Sequence, residues 1–279
     1  MNTTAEIRHF TASDGYGIRF RYFPALPCRG IVIAIHGIQS HSGWYEWSSQ
    51  RLAEAGFAVY FADRRGSGLN GLQRGHAVHG ERLINDVRGL RQLALAEHSA
   101  QPPVTLLGVS WGGKTAAAAA CLFPSEFQRL ALLYPGLRPC LQPTWSQRLR
   151  LRLARQFEIV KRHIPIPLDD PALFTQVPQW QQFIREDPLT LQTVTSSLLN
   201  AGTDLDAIVQ QRLPQLPLPV LLMLAEADQI IDNAATQRLF SCLPASRLQS
   251  VVWPNARHTL EFEPGREQIF GRLIEWLSD

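Results

Sequence analysis

Short apolar runs alternate along the chain with stretches in which apolar side chains recur every three or four residues. Gly30–Ile35 (GIVIAI) and residues 56–62 (GFAVYFA) are continuous enough to be strands buried on both faces. Residues 104–109, 130–134, 219–225 and 248–253 read as further strands. Between them, residues 44–55, 82–98, 233–242 and 266–277 fit helices. In the second of these Leu83, Val87, Leu90 and Leu95 fall near helical spacing. Residues 7–11 and 18–23, separated by Ser13-Asp14-Gly15, predict an antiparallel hairpin at the sheet edge. This alternation predicts an α/β fold with a mostly parallel eight-stranded sheet flanked by helices on both faces. The rhythm changes over residues 137–213, where Pro-punctuated helical patterns, residues 145–163 among them, include no convincing buried strand. The chain is therefore read as a core of residues 1–136 and 214–279 carrying a helical cap insertion, residues 137–213.

Residues 104–120, VTLLGVSWGGKTAAAAA, organise the rest. A strand breaks at Gly108, turns through Val109-Ser110-Trp111 and restarts at Gly112 as an alanine-rich helix. The pattern G-x-S-x-G at such a turn presents a serine nucleophile at the end of a strand. The same letters also satisfy G-x-x-x-x-G-K-[ST] through Gly108, Gly113, Lys114 and Thr115, the loop that cradles phosphates. The turn alone leaves both chemistries open, beside a plain Gly- and Ser-containing loop.

Composition narrows the classes. At 279 residues with 45% hydrophobic content the chain can bury a large core. A net charge of +3, with no aromatic residues interleaved in long basic runs, gives nucleic-acid binding little support. The N-terminus lacks a basic region followed by an apolar one, and no uncharged stretch is long enough to span a bilayer, so a cytoplasmic location is expected. Cys28, Cys121, Cys140 and Cys242 lack metal-like spacing and read as unpaired buried thiols, and no metal or organic cofactor is implied.

A serine hydroxyl needs a base within hydrogen-bond reach and a group that orients that base. Asp228 follows the strand at residues 219–225, and His258 follows the one at 248–253, so both end on the rim that carries Ser110. The chain order Ser, Asp, His is that of one convergent form of the triad. Asp232 is the alternative acid, further from its strand terminus. His41, His76 and His79 read as solvated loop histidines, and Asp63 with Arg64 and Arg65 as a turn held by local hydrogen bonds and ion pairs. The tetrahedral intermediate needs backbone donors, expected from the amides of Trp111 and Ile38.

With His36-Gly37-Ile38, His41-Ser42-Gly43, Tyr45, the run Asp63 to Gly68, the serine elbow, Glu226-Ala227-Asp228 and Arg257-His258 in place, the chain resembles the monoacylglycerol lipase and lysophospholipase branch of the α/β-hydrolase superfamily. The resemblance implies Ser110 as nucleophile, Asp228 as orienting acid, His258 as base, and Ile38 and Trp111 as oxyanion donors. It also implies a helical cap after the sixth strand. Three positions depart from the pattern H-G-x-x-E-H-S-G-R-Y with G-H-S-x-G: Ser40 replaces the glutamate, Trp44 the arginine and Val109 the histidine. Polar side chains that would grip a glycerol head group are thus absent. Gln39, Ser40, Trp44, Val109, Trp145 and Phe157 are the candidate substrate-pocket residues. Within the cap, basic residues cluster between Arg138 and Arg162, while Trp145, Leu149, Leu153 and Phe157 recur every four positions. An anionic ester or a membrane surface would be attracted there, although a solvated basic face is the plainer reading. The expected activity is hydrolysis of a small-molecule carboxylic ester of apolar acyl character through an acyl-enzyme. A thioesterase or acyltransferase on the same scaffold is the alternative, and a non-catalytic binding protein is the reading outside enzymes.

Overall fold

A computed structural model describes residues 5–140 and 163–279. Strand β1 (Glu6–Thr11) pairs with β2 (Gly17–Phe23) as an antiparallel hairpin, and β2 lies antiparallel to β4 (Phe57–Ala62). From β4 the sheet continues in parallel through β3 (Gly30–Ile35), β5 (Val104–Val109), β6 (Arg129–Leu133), β9 (Val220–Ala225) and β10 (Leu248–Trp253). This is the mostly parallel eight-stranded sheet that the apolar runs predict.

Successive side chains of a strand point to opposite faces, so each buried run feeds two cores. Ile31, Ile33 and Ile35 of β3, with Leu106, Leu132 and Leu222, pack under α2 (Gly80–Ala96) and α3 (Gly112–Leu122). Val32 and Ala34, with Leu107, Leu133 and Met223, face Leu52 of α1 (Glu46–Glu54) and Phe270 and Leu273 of α7 (Arg266–Ser278). A side chain accepts at several helix starts, as capping requires. Thr195 receives the Leu198 N–H at the start of α5 (Ser196–Arg212), and Asp232 receives the Ala235 N–H at the start of α6 (Asn233–Phe240).

The segment after β6 departs from the expectation of helices without strands. Beside α4 (Pro178–Glu186) it holds a short antiparallel pair, β7 (His163–Pro165) with β8 (Thr193–Thr195). Three-residue strands are too short to show a period of two, which explains why the pattern hides them. Residue 163, expected at the end of a helix, instead opens β7. The last helix of the segment, α5, places Leu198, Ala201, Leu205 and Val209 in the same apolar cluster as α2 and α3. Trp145, Leu149, Leu153 and Phe157 lie outside the described residues, as does most of the basic cluster.

All four cysteines are free, but the expectation of buried thiols fails: Cys140 and Cys242 are exposed and Cys28 and Cys121 half-buried. Among the described residues no helix is long and apolar enough to cross a membrane.

Candidate active site

Parallel strands deliver their carboxyl ends to one rim, and the loops that leave β3, β5, β9 and β10 meet there. At the end of β5, Ser110 adopts φ +49°, a left-handed conformation that costs a non-glycine residue roughly 1–3 kcal/mol. The backbone holds it there. Its N–H donates to Leu133 O at 2.9 Å, and its carbonyl accepts from Gly113 N at 2.9 Å and Gly136 N at 2.7 Å. The turn also depends on missing side chains. A Cβ on Gly112 would collide with the carbonyl oxygens of Ile35 and His36, and one on Gly108 would lie 2.7 Å from Ala116 Cβ.

His258 and Asp228 converge on this serine. His258 Nε2 lies 2.9 Å from Ser110 Oγ, and its Nδ1 lies 2.8 Å from Asp228 Oδ2. The other carboxylate oxygen, Asp228 Oδ1, accepts the amides of Ile230 at 2.8 Å and Ile231 at 3.0 Å, so the acid is held from both sides. Both side chains are buried, and the imidazole lies edge-on to Tyr134 and Phe174 at centroid distances of 4.6 and 5.9 Å. Asp232, the alternative acid, instead caps α6. An imidazole set between a hydroxyl and a carboxylate can take the hydroxyl proton while the carboxylate fixes its tautomer.

Ser110 and His258 open onto a cleft of about 250 Å³ whose walls include Ile38, Gln39, Ser40, Trp44, Leu168 and Phe174. Among the described residues, neither the Ile38 nor the Trp111 N–H donates a hydrogen bond. Four of the pocket candidates fall on described residues. Gln39, Ser40 and Trp44 line the cleft, although two of them are turned to protein partners. Ser40 Oγ accepts from Gly37 N at 3.0 Å and from the Tyr45 hydroxyl at 3.1 Å, and Trp44 Nε1 donates to Asp187 Oδ2 at 2.7 Å. Val109 is a correction. It lies on the β5 face it shares with Leu107, packed in the core beside Leu133 and Met223, and does not reach the cleft.

The loop that carries Ile38 is pinned from below. Burial, reinforced by Arg64, pushes His36 down to about 3, so the ring is neutral. Its Nδ1–H donates to Gly37 O at 2.8 Å and its Nε2 accepts the Arg64 N–H at 2.9 Å. Asp63 is fully buried and accepts from Ser42 N at 2.7 Å and Leu69 N at 2.8 Å, while Arg65 pairs with Asp86 and Asp14.

The expectation of solvated loop histidines holds for His79, which is exposed, and fails for His41 and His76. His41 is buried with Nε2 2.9 Å from Asp187 Oδ2, and His76 is buried with Nδ1 3.1 Å from Thr195 Oγ1. Their partners come from the segment after β6, more than a hundred residues away, so no local signal could have announced them.

Lys114 decides between the two readings of the elbow. Its Nζ lies 2.6 Å from both carboxylate oxygens of Asp206 on α5, which occupies the cation that a phosphate cradle would need. Among the described residues no cluster of His, Cys, Asp and Glu could hold a metal ion.

Comparison with known proteins bears on the family and the fold. Residues 27–265 match the family described as serine aminopeptidase, S33. Monoacylglycerol lipase of Mycolicibacterium smegmatis is 25% identical over 99% of both chains. The crystal structure of Paleococcus ferrophilus monoacylglycerol lipase superposes with a TM-score of 0.83 at 26% identity, covering 93% of this chain and 98% of that one. A soluble variant of monoglyceride lipase from Saccharomyces cerevisiae, in complex with a substrate analog, gives a TM-score of 0.84 at 19% identity over 99% and 95% of the two chains. The chain belongs to the serine aminopeptidase S33 family of the α/β-hydrolases.

Proposed function

We propose that the protein is a lipase-like serine hydrolase that cleaves a carboxylic ester of apolar acyl character through an acyl-enzyme. The observation that carries this reading is the continuous contact from Ser110 Oγ to His258 Nε2 at 2.9 Å and from His258 Nδ1 to Asp228 Oδ2 at 2.8 Å. Ser110 Oγ attacks the ester carbonyl carbon while its proton passes to His258 Nε2. The negative charge that forms on the carbonyl oxygen is received by the amides of Ile38 and Trp111, and Asp228 stabilises the imidazolium. Collapse expels the alcohol, which takes the proton from Nε2 and leaves the acyl group on Ser110. Water then repeats the attack, giving its proton to Nε2. The second collapse returns that proton to Ser110 Oγ and frees the acid.

The apolar walls Ile38, Trp44, Leu168 and Phe174 suit an acyl chain. The relatives named as monoacylglycerol lipases make lipid monoesters the first substrates to try. The polar groups of Ser40 and Trp44 are engaged within the protein, so the cleft offers a glycerol head group little grip from those positions. Residues 1–136 and 214–279 form the catalytic core of this reading, and residues 137–213 the cap over it. The four unpaired cysteines suit a reducing, cytoplasmic setting.

A fluorophosphonate probe should label Ser110, and Ser110→Ala should lose labelling and about 10⁶-fold in turnover. A chain-length series of p-nitrophenyl esters, run beside monoglycerides and lysophospholipids, then defines the acyl group. An unlabelled wild-type chain that turns over none of them would remove the reading.

A further inference from the structure

Three consecutive charged residues follow β4, and the middle one behaves unlike its neighbours. Asp63 accepts two backbone amides and Arg65 forms ion pairs with Asp86 and Asp14, so these two hold the turn together. Arg64 forms no ion pair among the described residues, yet it is buried, with 4% of its surface exposed. Its Nη2 donates to Ile38 O at 3.0 Å and lies 3.5 Å from Gly37 O, and its Cζ lies 4.8 Å from the centre of the Trp111 ring. Its Nε and Nη1 have no hydrogen-bond partner among the described residues.

We infer that Arg64 is a positioning residue whose guanidinium holds the loop bearing Ile38 and the elbow bearing Trp111 in register, so that their two amides meet the same oxyanion. The inference rests on the esterase reading of Ser110. Burying a guanidinium with two of its nitrogens unpaired is costly, and a turn already closed by Asp63 and Arg65 gains little from it. Such costs are retained where a site needs them. Both Arg64 contacts fall on the residues whose amides flank Ser110, one on the strand-end loop and one on the serine turn.

The planar group can reach both because its edge donates to carbonyl oxygens while its face lies over an indole. The 3.0 Å bond to Ile38 O fixes the loop on the carboxyl side of the Ile38 N–H. Tightening or loosening this clamp therefore changes how well the hole fits a tetrahedral oxyanion, while the rest of the apolar wall, Trp44, Leu168 and Phe174, stays in place.

The test uses the full chain, first showing that the wild type labels with a fluorophosphonate and hydrolyses p-nitrophenyl butyrate. Arg64→Met keeps the apolar stem and removes the guanidinium; Arg64→Lys keeps the charge and removes the plane. Arg64→Met is expected to lower kcat about 30- to 100-fold, somewhat less than removing a donor outright, with KM within about 3-fold of wild type. The affinity for an alkyl trifluoromethyl ketone, which forms a tetrahedral adduct on the serine, should fall by a similar factor. Arg64→Lys should recover part of both losses. A folded Arg64→Met with wild-type kcat and ketone affinity, or one in which only KM changes, overturns the inference even if its melting temperature has fallen. If Arg64→Met does not fold, Arg64→Lys decides alone: a parallel loss of about 5- to 10-fold in kcat and ketone affinity supports the clamp, and wild-type values of both overturn it. A wild type that neither labels nor turns over esters removes the underlying reading and the inference with it, whereas active wild type beside an equally active Arg64→Met removes the inference alone.

Discussion

Asp187 gathers more donors than any local turn would require, which makes Asp187→Asn an informative change. Its Oδ2 receives His41 Nε2 at 2.9 Å, Trp44 Nε1 at 2.7 Å and Thr190 Oγ1 at 3.0 Å, and its Oδ1 receives Leu189 N at 3.0 Å. The side chain is 6% exposed. Burial alone would raise its pKa, but the hydrogen bonds from His41, Trp44 and Leu189 outweigh burial and hold the carboxyl well below its usual range. Asparagine has the same shape, yet its NH₂ must face at least one of these donors, and its oxygen carries no charge. Losing charge assistance on three bonds and leaving one donor unpaired should cost about 3–4 kcal/mol, allowing for non-additivity. An unfolding entropy of about 2.1 cal/mol/K per residue over 279 residues gives about 0.6 kcal/mol per degree. The melting temperature at pH 7 should therefore fall by about 5–7 °C. Because the folded carboxyl is more acidic than the unfolded one, its contribution is complete above the unfolded value of about 3.9 and is lost as pH falls from there towards the folded value. Scanning fluorimetry from pH 8 to pH 3.5 should show a constant gap between wild type and variant that narrows below about pH 4. No gap at pH 7, or one that widens on acidification, would refute the reasoning.

Asp228→Asn should keep its oxygen on the Ile230 and Ile231 amides and turn its NH₂ towards His258. That imposes the wrong imidazole tautomer and should lower kcat about 10⁴-fold with little change in KM, measured by steady-state turnover of a chromogenic ester. Glu261 is buried three residues after His258, with Oε1 accepting Ser48 N at 3.0 Å and Oε2 unpaired among the described residues. Burial pushes it up from 4.5 to about 7. A raised carboxyl penalises the folded state progressively as pH climbs from the unfolded to the folded value, so Glu261→Gln should match wild type in acid and melt higher above neutrality. The gain expected at pH 8 is about 3 kcal/mol, or about 5 °C, and equal melting temperatures there would show the carboxylate to be better solvated than its surroundings imply.

What the chain reveals locally and what it conceals follow from where each partner lies. Strands β3, β4, β5 and β9 are legible because a strand buried on both faces must be apolar at consecutive positions. Ser110 and Asp228 are legible because each closely follows such a run, and His258 because it ends the loop after the partly exposed strand β10. Val109 was open to a better reading: β5 alternation puts it on the same face as Leu107, which faces the core. His41, Arg64 and Lys114 were beyond reach. Their environments are made by Asp187, Trp111 and Asp206, brought close only by the folded chain, so loop histidines and a phosphate-loop lysine remained reasonable readings of the letters alone.

The same division separates two kinds of constraint at the cleft. Its floor is backbone: Ser110 is fixed by hydrogen bonds to Leu133, Gly113 and Gly136, within a sheet whose register cannot slip without turning apolar side chains to water. Its wall is joined to the later segment by polar links, Asp187 to His41 and Trp44, Leu191 N to Gln39 O at 3.0 Å, Arg74 to Leu189 O, His76 to Thr195 and Thr195 N to Gly75 O at 2.9 Å, and by the rings of Phe174 and Phe183 against Trp44. Local opening takes the path that breaks the fewest buried contacts, so the wall should yield while the serine, histidine and aspartate keep their distances. Loosening it changes how substrate is held before it changes the chemical step. Asp187→Asn should accordingly raise KM by a larger factor than it lowers kcat, the reverse of the pattern expected for Arg64→Met. An Asp187→Asn variant with unchanged KM and depressed kcat would mean that wall and floor move as one body.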